Sequence, residues 1–354
     1  MSIGKIFSIV VITMLFVALF MPIIKDIAVY IGAIDIPNKR KVHKKPIPRL
    51  GGLGIYAGFL LGYLLFGHQS IQMNSILIGS FIIVITGMID DIKPIPAKYK
   101  FLGQVAASLV IPLYGGIVLR DVSAFGLNIS FGWSSIFVTV LFIVAIMNCI
   151  NFIDGLDGLA GGISAVYFLM IGIIATVLNN SNGLDTILTF VMLGATLGFL
   201  VHNFYPASIF MGDSGSLFLG YIISVIALLG YKNVTFTSLI VPVFLLMIPI
   251  IDTFFAIVRR LLKHEPITMP DKCHLHHQLL KLNFSARTAV LIIYVVDILF
   301  AIASIIYVLG DSKHGVFIYA LLFIVVLMLI IKTDIISDKK PKSLFCLFHK
   351  KSRR

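Results

Sequence analysis

Carboxylates are scarce in this sequence, sixteen in 354 residues, and five of them fall into three short motifs that could do phosphate or metal chemistry. Gly87-Met88-Ile89-Asp90-Asp91 closes an apolar run. Asn151-Phe152-Ile153-Asp154-Gly155-Leu156-Asp157-Gly158-Leu159-Ala160-Gly161-Gly162 sets two acids three apart, on one face if helical, among glycines that let a ligand approach the backbone. Phe210-Met211-Gly212-Asp213-Ser214-Gly215-Ser216 places Asp213 where an apolar run begins, and the free N–H groups of such a helix start make a ready anion site. If the three loops meet, carboxylates about 6 Å apart repel by roughly 3 kcal/mol per pair at an effective dielectric near ~20. A divalent cation is the economical remedy, and all-oxygen ligands favour Mg²⁺ or Mn²⁺ over zinc. Each acid taken alone reads as a solvated boundary residue of a membrane helix. Yet Asp90 and Asp91 sit at a helix C-terminus, where the dipole disfavours carboxylates, and three such motifs on one side of the membrane favour function over structure.

Two basic segments belong with the acids. Asp35-Ile36-Pro37-Asn38-Lys39-Arg40-Lys41-Val42-His43-Lys44-Lys45-Pro46-Ile47-Pro48-Arg49-Leu50-Gly51-Gly52 combines six cations with prolines that fix its path and a diglycine that opens the next helix. Its framing points to phosphate binding, with Lys39, Arg40, His43 and Arg49 as contacts. The second segment carries Arg259, Arg260 and Lys263, then Pro270-Asp271-Lys272-Cys273-His274-Leu275-His276-His277. Three histidines in four residues could bind zinc. Phosphate contact ranks higher, because no cysteine or second histidine cluster lies at a zinc-like spacing. Two further acids lie inside apolar runs: Asp252, which could simply tie helix ends together, and Asp297, which nothing in the sequence explains.

These loops need a scaffold, and composition says what kind. Hydrophobic residues make up 59% and charged residues 12%, with a mean hydropathy of +1.04. Soluble domains carry about 25% charged residues, so a cytosolic enzyme, a disordered regulator and a disulfide scaffold are excluded. Long unbroken apolar runs exclude a porin-like barrel. Eleven candidate spans cover approximately 4–24, 51–67, 73–90, 101–119, 132–150, 161–178, 186–202, 216–231, 237–258, 288–309 and 315–332. The expected fold is therefore an all-α polytopic membrane protein of ten or eleven helices. Residues 1–333 form a single transmembrane domain, with loops 35–50, 90–100, 151–160, 203–215 and 259–287 on one face. Residues 334–354 form a basic tail. The first apolar run lacks a basic start and a cleavage site, and is expected to be a retained helix. With the amino terminus outside, 24 of the 28 Lys and Arg fall on the inner side, leaving Lys5, Arg120, Lys232 and Lys313 outside. That split puts the loops and the carboxyl terminus in the cytoplasm and accounts for the +12 charge without nucleic acid. Cys149, Cys273 and Cys346 imply no disulfide framework.

The motifs together, spread over residues 35 to 277, resemble those of the polyprenyl-phosphate N-acetylhexosamine-1-phosphate transferases, the MraY/WecA/TagO group of bacterial plasma-membrane enzymes. The resemblance lies in Pro-Asn-x-Arg-Lys-x-His…Pro-Arg-x-Gly-Gly, Asp-Asp, Asn-x-x-Asp-Gly-x-Asp-Gly-Leu-Ala, Phe-Met-Gly-Asp-x-Gly-Ser and Pro-Asp-x-x-His-Leu-His-His. It implies transfer of a sugar 1-phosphate from a UDP-sugar to undecaprenyl phosphate, with release of UMP and a requirement for Mg²⁺, which Mn²⁺ could replace. Carried onto this chain, Asp90 and Asp91 would serve the lipid phosphate, and Asp213, with Asp91, would hold the metal. Asn151, Asp154, Asp157 and Asn203 would line the nucleotide pocket, Phe210 would stack on uracil, and His274, His276 and His277 would contact diphosphate or sugar. Pro-Ile-Pro-Arg-Leu-Gly-Gly and His-Leu-His-His are closer to the branch using UDP-GlcNAc than to the peptidoglycan branch. UDP-GlcNAc is the favoured donor, ahead of UDP-GalNAc or UDP-MurNAc-pentapeptide. The product would initiate a cell-envelope glycopolymer such as teichoic acid or O-antigen. Membrane lipids are expected neighbours, and a homodimer is left open. Two rivals fit less well. CDP-alcohol phosphotransferases need Asp-x2-Asp-Gly-x2-Ala-Arg and a later acid pair that is absent, and an ion-coupled transporter needs paired mid-membrane acids, where only Asp297 fits.

Overall fold

The apolar runs do become helices, and serine starts several of them. Ser2, Ser70 and Ser285 each accept a backbone N–H from the residue three positions on, at 3.3, 3.0 and 3.1 Å, so each helix start has one orphan donor satisfied. The computed structural model describes residues 1–37, 45–124, 127–178, 183–232, 239–262, 264, 274–310 and 312–332. In chain order the helices are α1 Ile3–Tyr30, α2 Gly51–Phe66, α3 Ile71–Ile92, α4 Ala97–Leu113, α5 Ser135–Ile153, α6 Leu159–Val177, α7 Leu184–Asn203, α8 Gly212–Lys232, α9 Ile240–Leu245, α10 Met247–Leu262, α11 Leu275–Lys281, α12 Ala286–Leu309 and α13 Ser312–Lys332. Two small antiparallel strand pairs, β1 Ile34–Asp35 with β2 Ile47–Pro48 and β3 Asp121–Ala124 with β4 Leu127–Ser130, and a 3-10 turn at Gly132–Ser134 accompany them. Seven helices are long and apolar enough to cross a membrane among the described residues, α2 and α13 being shorter apolar helices. The all-α polytopic expectation is met.

Helix count departs from span count for local chemical reasons. The ninth apolar run is broken at Leu246 into α9 and α10, because Pro249 has no N–H to give the Leu245 carbonyl and its ring crowds that position. α11 is an extra, short helix between the membrane-crossing ones. Conversely, α1 runs six residues beyond its expected end, straight through Pro22. The carbonyl that Pro22 leaves unpaired is that of Ala18, and His202 Nε2 of α7 donates to it at 2.9 Å. A side chain thus replaces the missing rung, as helix interiors in a bilayer require.

α8 is the axis of the bundle. Of its apolar window 89% is buried, and α2, α3, α5 and α7 pack around it. α1 lies against α2 and α7, α4 against α3 and α5, and α12 against α6, α9 and α13. Helices α1 to α8 alternate in direction and α9 with α10 makes a single return, so the ends of α3, α5, α7 and α10 and the starts of α2, α4, α6 and α8 gather at one end of the bundle. Every acidic motif lies there.

Asp297, in the middle of α12, is 1% exposed and neither carboxyl oxygen has a hydrogen-bond partner. Exchanging an unpaired buried polar group for an apolar one of similar volume is neutral or favourable by about 1–3 kcal/mol. Asp297→Leu is accordingly expected to keep or raise the melting temperature in detergent; a clear fall would show that the carboxyl has a structural partner.

Candidate active site

The site is organised by one buried carboxylate and one helix start. Asp91, 0% exposed at its side chain, ends α3 and reaches across to the first turn of α8. Its Oδ1 accepts the Asp213 N–H at 2.8 Å, and its Oδ2 accepts the Ser214 N–H at 3.0 Å and the Ser214 hydroxyl at 2.7 Å. Gly212, at φ +70, precedes this turn, and a side chain there would run into both Asp91 oxygens. The anion expected at the start of α8 is therefore supplied by the chain itself. Its dipole also offsets the unfavourable end of α3, the structural reason that the sequence concealed.

Arg49 closes the same cluster. Its Nε and Nη2 donate to Asp91 Oδ1 at 3.1 and 2.9 Å, and its guanidinium lies 3.9 Å from Asp90, 3.7 Å from Asp213 and 3.9 Å from Asp35. Burial works against its charge, but Asp91, Asp213 and Asp35 outweigh that and hold its pKa above the ordinary arginine value. Asp35 lies in the β1–β2 ladder, opposite Ile47, and Arg49 directly follows it. Lys100, from the first turn of α4, sits between Asp90 Oδ2, at 3.2 Å, and Asp213 Oδ2, which it also contacts. Asp90 Oδ1 accepts the Ile95 N–H at 3.0 Å, which fixes the α3–α4 turn. Among the described residues, Asp35, Asp90, Asp91 and Asp213 thus gather around Arg49 and Lys100. Lys100 was legible in the sequence only as a topology signal; its place opposite Asp90 across a four-residue turn was the available clue.

The second acidic motif lies beside this cluster and is braced by neighbouring loops. Asn151, in the last turn of α5, donates to Ser216 Oγ at 2.8 Å. Asp157 Oδ2 accepts the Ala207 N–H at 2.9 Å. Asn203 accepts the Gly158 N–H at 3.0 Å and donates to the Ile209 carbonyl at 2.9 Å. Phe210, half-buried, is tied through its backbone to Pro48 and Gly51. Burial first, then the charges of Asp213 and Asp91, push the Asp154 carboxyl up to about 7.

The histidines arrive from the other side. Asp252 takes His274 Nδ1 at 2.8 Å and the Leu275 N–H at 2.8 Å, tying α10 to the start of α11. His276 is stacked on His274, with ring centroids 5.8 Å apart, and its ring presses on the Cα of Gly155, joining the histidines to the acidic turn. Both His276 ring nitrogens are buried without a partner, and burial, with His277 beside it, lowers its pKa to about 3. His277 is half-buried, 4.3 Å from His276 between ring centroids. Lys39, Arg40 and His43 lie outside the described residues. Among those described, no three His, Cys, Asp or Glu side chains are gathered as a metal-holding group.

An acid whose folded pKa, about 7, lies above its unfolded value of about 4 costs stability as pH rises through that window. In metal-free detergent, Asp154→Asn is expected to melt with wild type below pH ~4 and above it, increasingly, from pH ~4 to ~7. Parallel melting curves across the window would remove the basis for the raised value.

The model of glycosyl transferase family 4 matches residues 73–231, which contain the three acidic motifs. A probable undecaprenyl-phosphate N-acetylglucosaminyl 1-phosphate transferase of Bacillus subtilis (strain 168) is 42% identical over 346 residues, covering 96% of this chain and 95% of that one. A decaprenyl-phosphate N-acetylglucosaminephosphotransferase of Mycolicibacterium smegmatis is 33% identical over 301 residues, 77% and 74% of the two chains. The undecaprenyl-phosphate alpha-N-acetylglucosaminyl 1-phosphate transferase of Escherichia coli (strain K12) is 29% identical over 309 residues, 85% and 83%. By this similarity along nearly its whole length, the chain belongs to glycosyl transferase family 4, the polyprenyl-phosphate N-acetylhexosamine-1-phosphate transferases that its motifs resemble.

Proposed function

We propose that this protein transfers N-acetylglucosamine 1-phosphate from UDP-GlcNAc to undecaprenyl phosphate at the cytoplasmic face of a bacterial plasma membrane. The observation that carries this reading is the meeting of Asp90, Asp91 and Asp213 with Arg49 and Lys100 at one end of a membrane bundle. The names of the relatives support the lipid acceptor and the N-acetylglucosamine 1-phosphate group, and the excess of Lys and Arg on that end supports its orientation.

Two anions must be joined, so positioning and charge compensation do most of the work. Arg49 and Lys100, with Lys39, Arg40 and His43 of the basic loop, gather the lipid phosphate. A phosphate monoester has its second pKa near ~6, so this nucleophile is already ionised at pH 7 and needs no base. An oxygen of the lipid phosphate attacks the sugar-bearing phosphorus of the donor. The bond from that phosphorus to the bridging oxygen breaks, and UMP leaves with the electron pair. Asp154, Asp157, Asn151 and Asn203 set the edge on which the nucleotide lies, Phe210 stacks on uracil, and His274, His276 and His277 reach the diphosphate or sugar.

Asp90 and Asp213 fit a hard divalent cation, because each presents an oxygen to the single ammonium between them. Mg²⁺ commonly takes only one or two carboxylates and completes its shell with water and substrate phosphates. We assign Mg²⁺, or Mn²⁺ in its place, to Asp213 and Asp90 rather than Asp91, whose oxygens are already taken by Arg49, two backbone N–H groups and Ser214. Held by these two carboxylates, it would supply positive charge to offset that of the phosphates. The prenyl chain stays in the bilayer, since removing it costs about 0.8 kcal/mol per CH₂.

Purified protein given undecaprenyl phosphate, Mg²⁺ and labelled donors is expected to form lipid product from UDP-GlcNAc in preference to UDP-GalNAc or UDP-MurNAc-pentapeptide, and none from a CDP-alcohol. Asp213→Asn should lower kcat by about 10³-fold or more with the melting temperature preserved. Wild-type rates in that variant, or another preferred donor, would overturn the assignment.

A further inference from the structure

The acidic turn is held from a third side, by a residue outside residues 73–231. Asn203 takes the Gly158 N–H and Ala207 holds Asp157, as described above. From α12, the hydroxyl of Tyr294 donates to the Gly158 carbonyl at 2.5 Å, an oxygen that also accepts the Gly162 N–H at 2.8 Å. Its ring fills the space over Gly162, where any side chain would collide with the phenol, and a Cβ on Gly158 would come within 3.3 Å of the hydroxyl. Gly158 itself has φ +79. The two glycines that would open this backbone to a ligand are therefore filled by a side chain of the protein. The inward-facing α12 residues in the turn before it, Ala289, Val290 and Ile293, are apolar, and the buried Asp297 lies about a turn further along α12, while Tyr294 hydrogen-bonds the acidic turn. A phenol half in hydrocarbon needs one good partner, and here that partner is the backbone of the acidic motif.

We propose that Tyr294 is a positioning residue for the transfer reaction: its hydroxyl, reaching Gly158 through the gap left by Gly162, fixes the turn that bears Asp154 and Asp157. α12 is thereby coupled to the nucleotide side of the site. The kinetic part of the test rests on the transfer reading above, while the structural part does not.

The test uses the full chain in nanodiscs, as wild type, Tyr294→Phe, Gly162→Ala and the double variant. Tyr294→Phe keeps the ring and removes only the hydrogen bond. It should raise KM for the nucleotide sugar about tenfold, leave KM for the lipid phosphate unchanged, and speed amide exchange at residues 154–162 alone. Gly162→Ala should act on the same contact, so the double variant should lose no more than the worse single one. Equal changes in both KM values, exchange that rises throughout the bundle, unaltered exchange at 154–162, or additive losses would each overturn the proposal. A wild-type protein without turnover would sink the transfer reading, and the exchange data would still decide the role of Tyr294.

Discussion

Everything at this end of the bundle depends on a carboxylate placed at the wrong end of one helix and the right end of another. Asp91 pays the unfavourable dipole of α3 and is held by two N–H groups, a hydroxyl and Arg49 at the start of α8. Each hydrogen bond to a charged group is worth about 1.5–3 kcal/mol net, more than enough to offset a dipole term of about 1 kcal/mol. The consequence is geometric. With Asp91 locked onto Asp213 and Ser214, the ends of α3 and α8 cannot slide, and Asp90 and Asp213 are brought to the same ammonium.

Around that lock the site has two parts with different characters. One part is ionic: Asp35, Arg49, Asp90, Asp91, Lys100 and Asp213, where charges compensate one another. The other part is braced by hydrogen bonds between side chains and backbone: the turn 154–158, held by Asn203 and Ala207 and pressed by His276. The Asn151–Ser216 hydrogen bond joins them. Asp154 belongs to the second part by chain position and feels the first through the charges of Asp213 and Asp91. Such a layout suits a reaction in which a highly charged diphosphate must be gripped by one set of groups and oriented by another.

Much of this was legible in the residues, and what was not has a common cause. Apolar runs of membrane-crossing length gave each long helix, because in a bilayer the backbone has no other way to satisfy itself. Motif positions identified the loops. The break at Leu246 was local chemistry, set by Pro249. What stayed hidden was partnership across the chain. Asp91 finds its N–H donors 122 and 123 residues away, and Asp252 finds His274 by packing rather than spacing. Lys100 was read only as topology because a lysine at a membrane-helix start is expected there anyway. The glycines of the acidic motif looked like room for a ligand, whereas Gly155 is filled by the His276 ring.

The long reach of the Asp91 contacts also governs how the protein is made. Helices leave the ribosome in order, so α3 enters the membrane well before α8 has been synthesised. Until then Asp91 has Arg49 for company but no helix start to receive it. A nascent chain halted before Gly212 therefore carries an incompletely satisfied carboxylate at the bilayer edge.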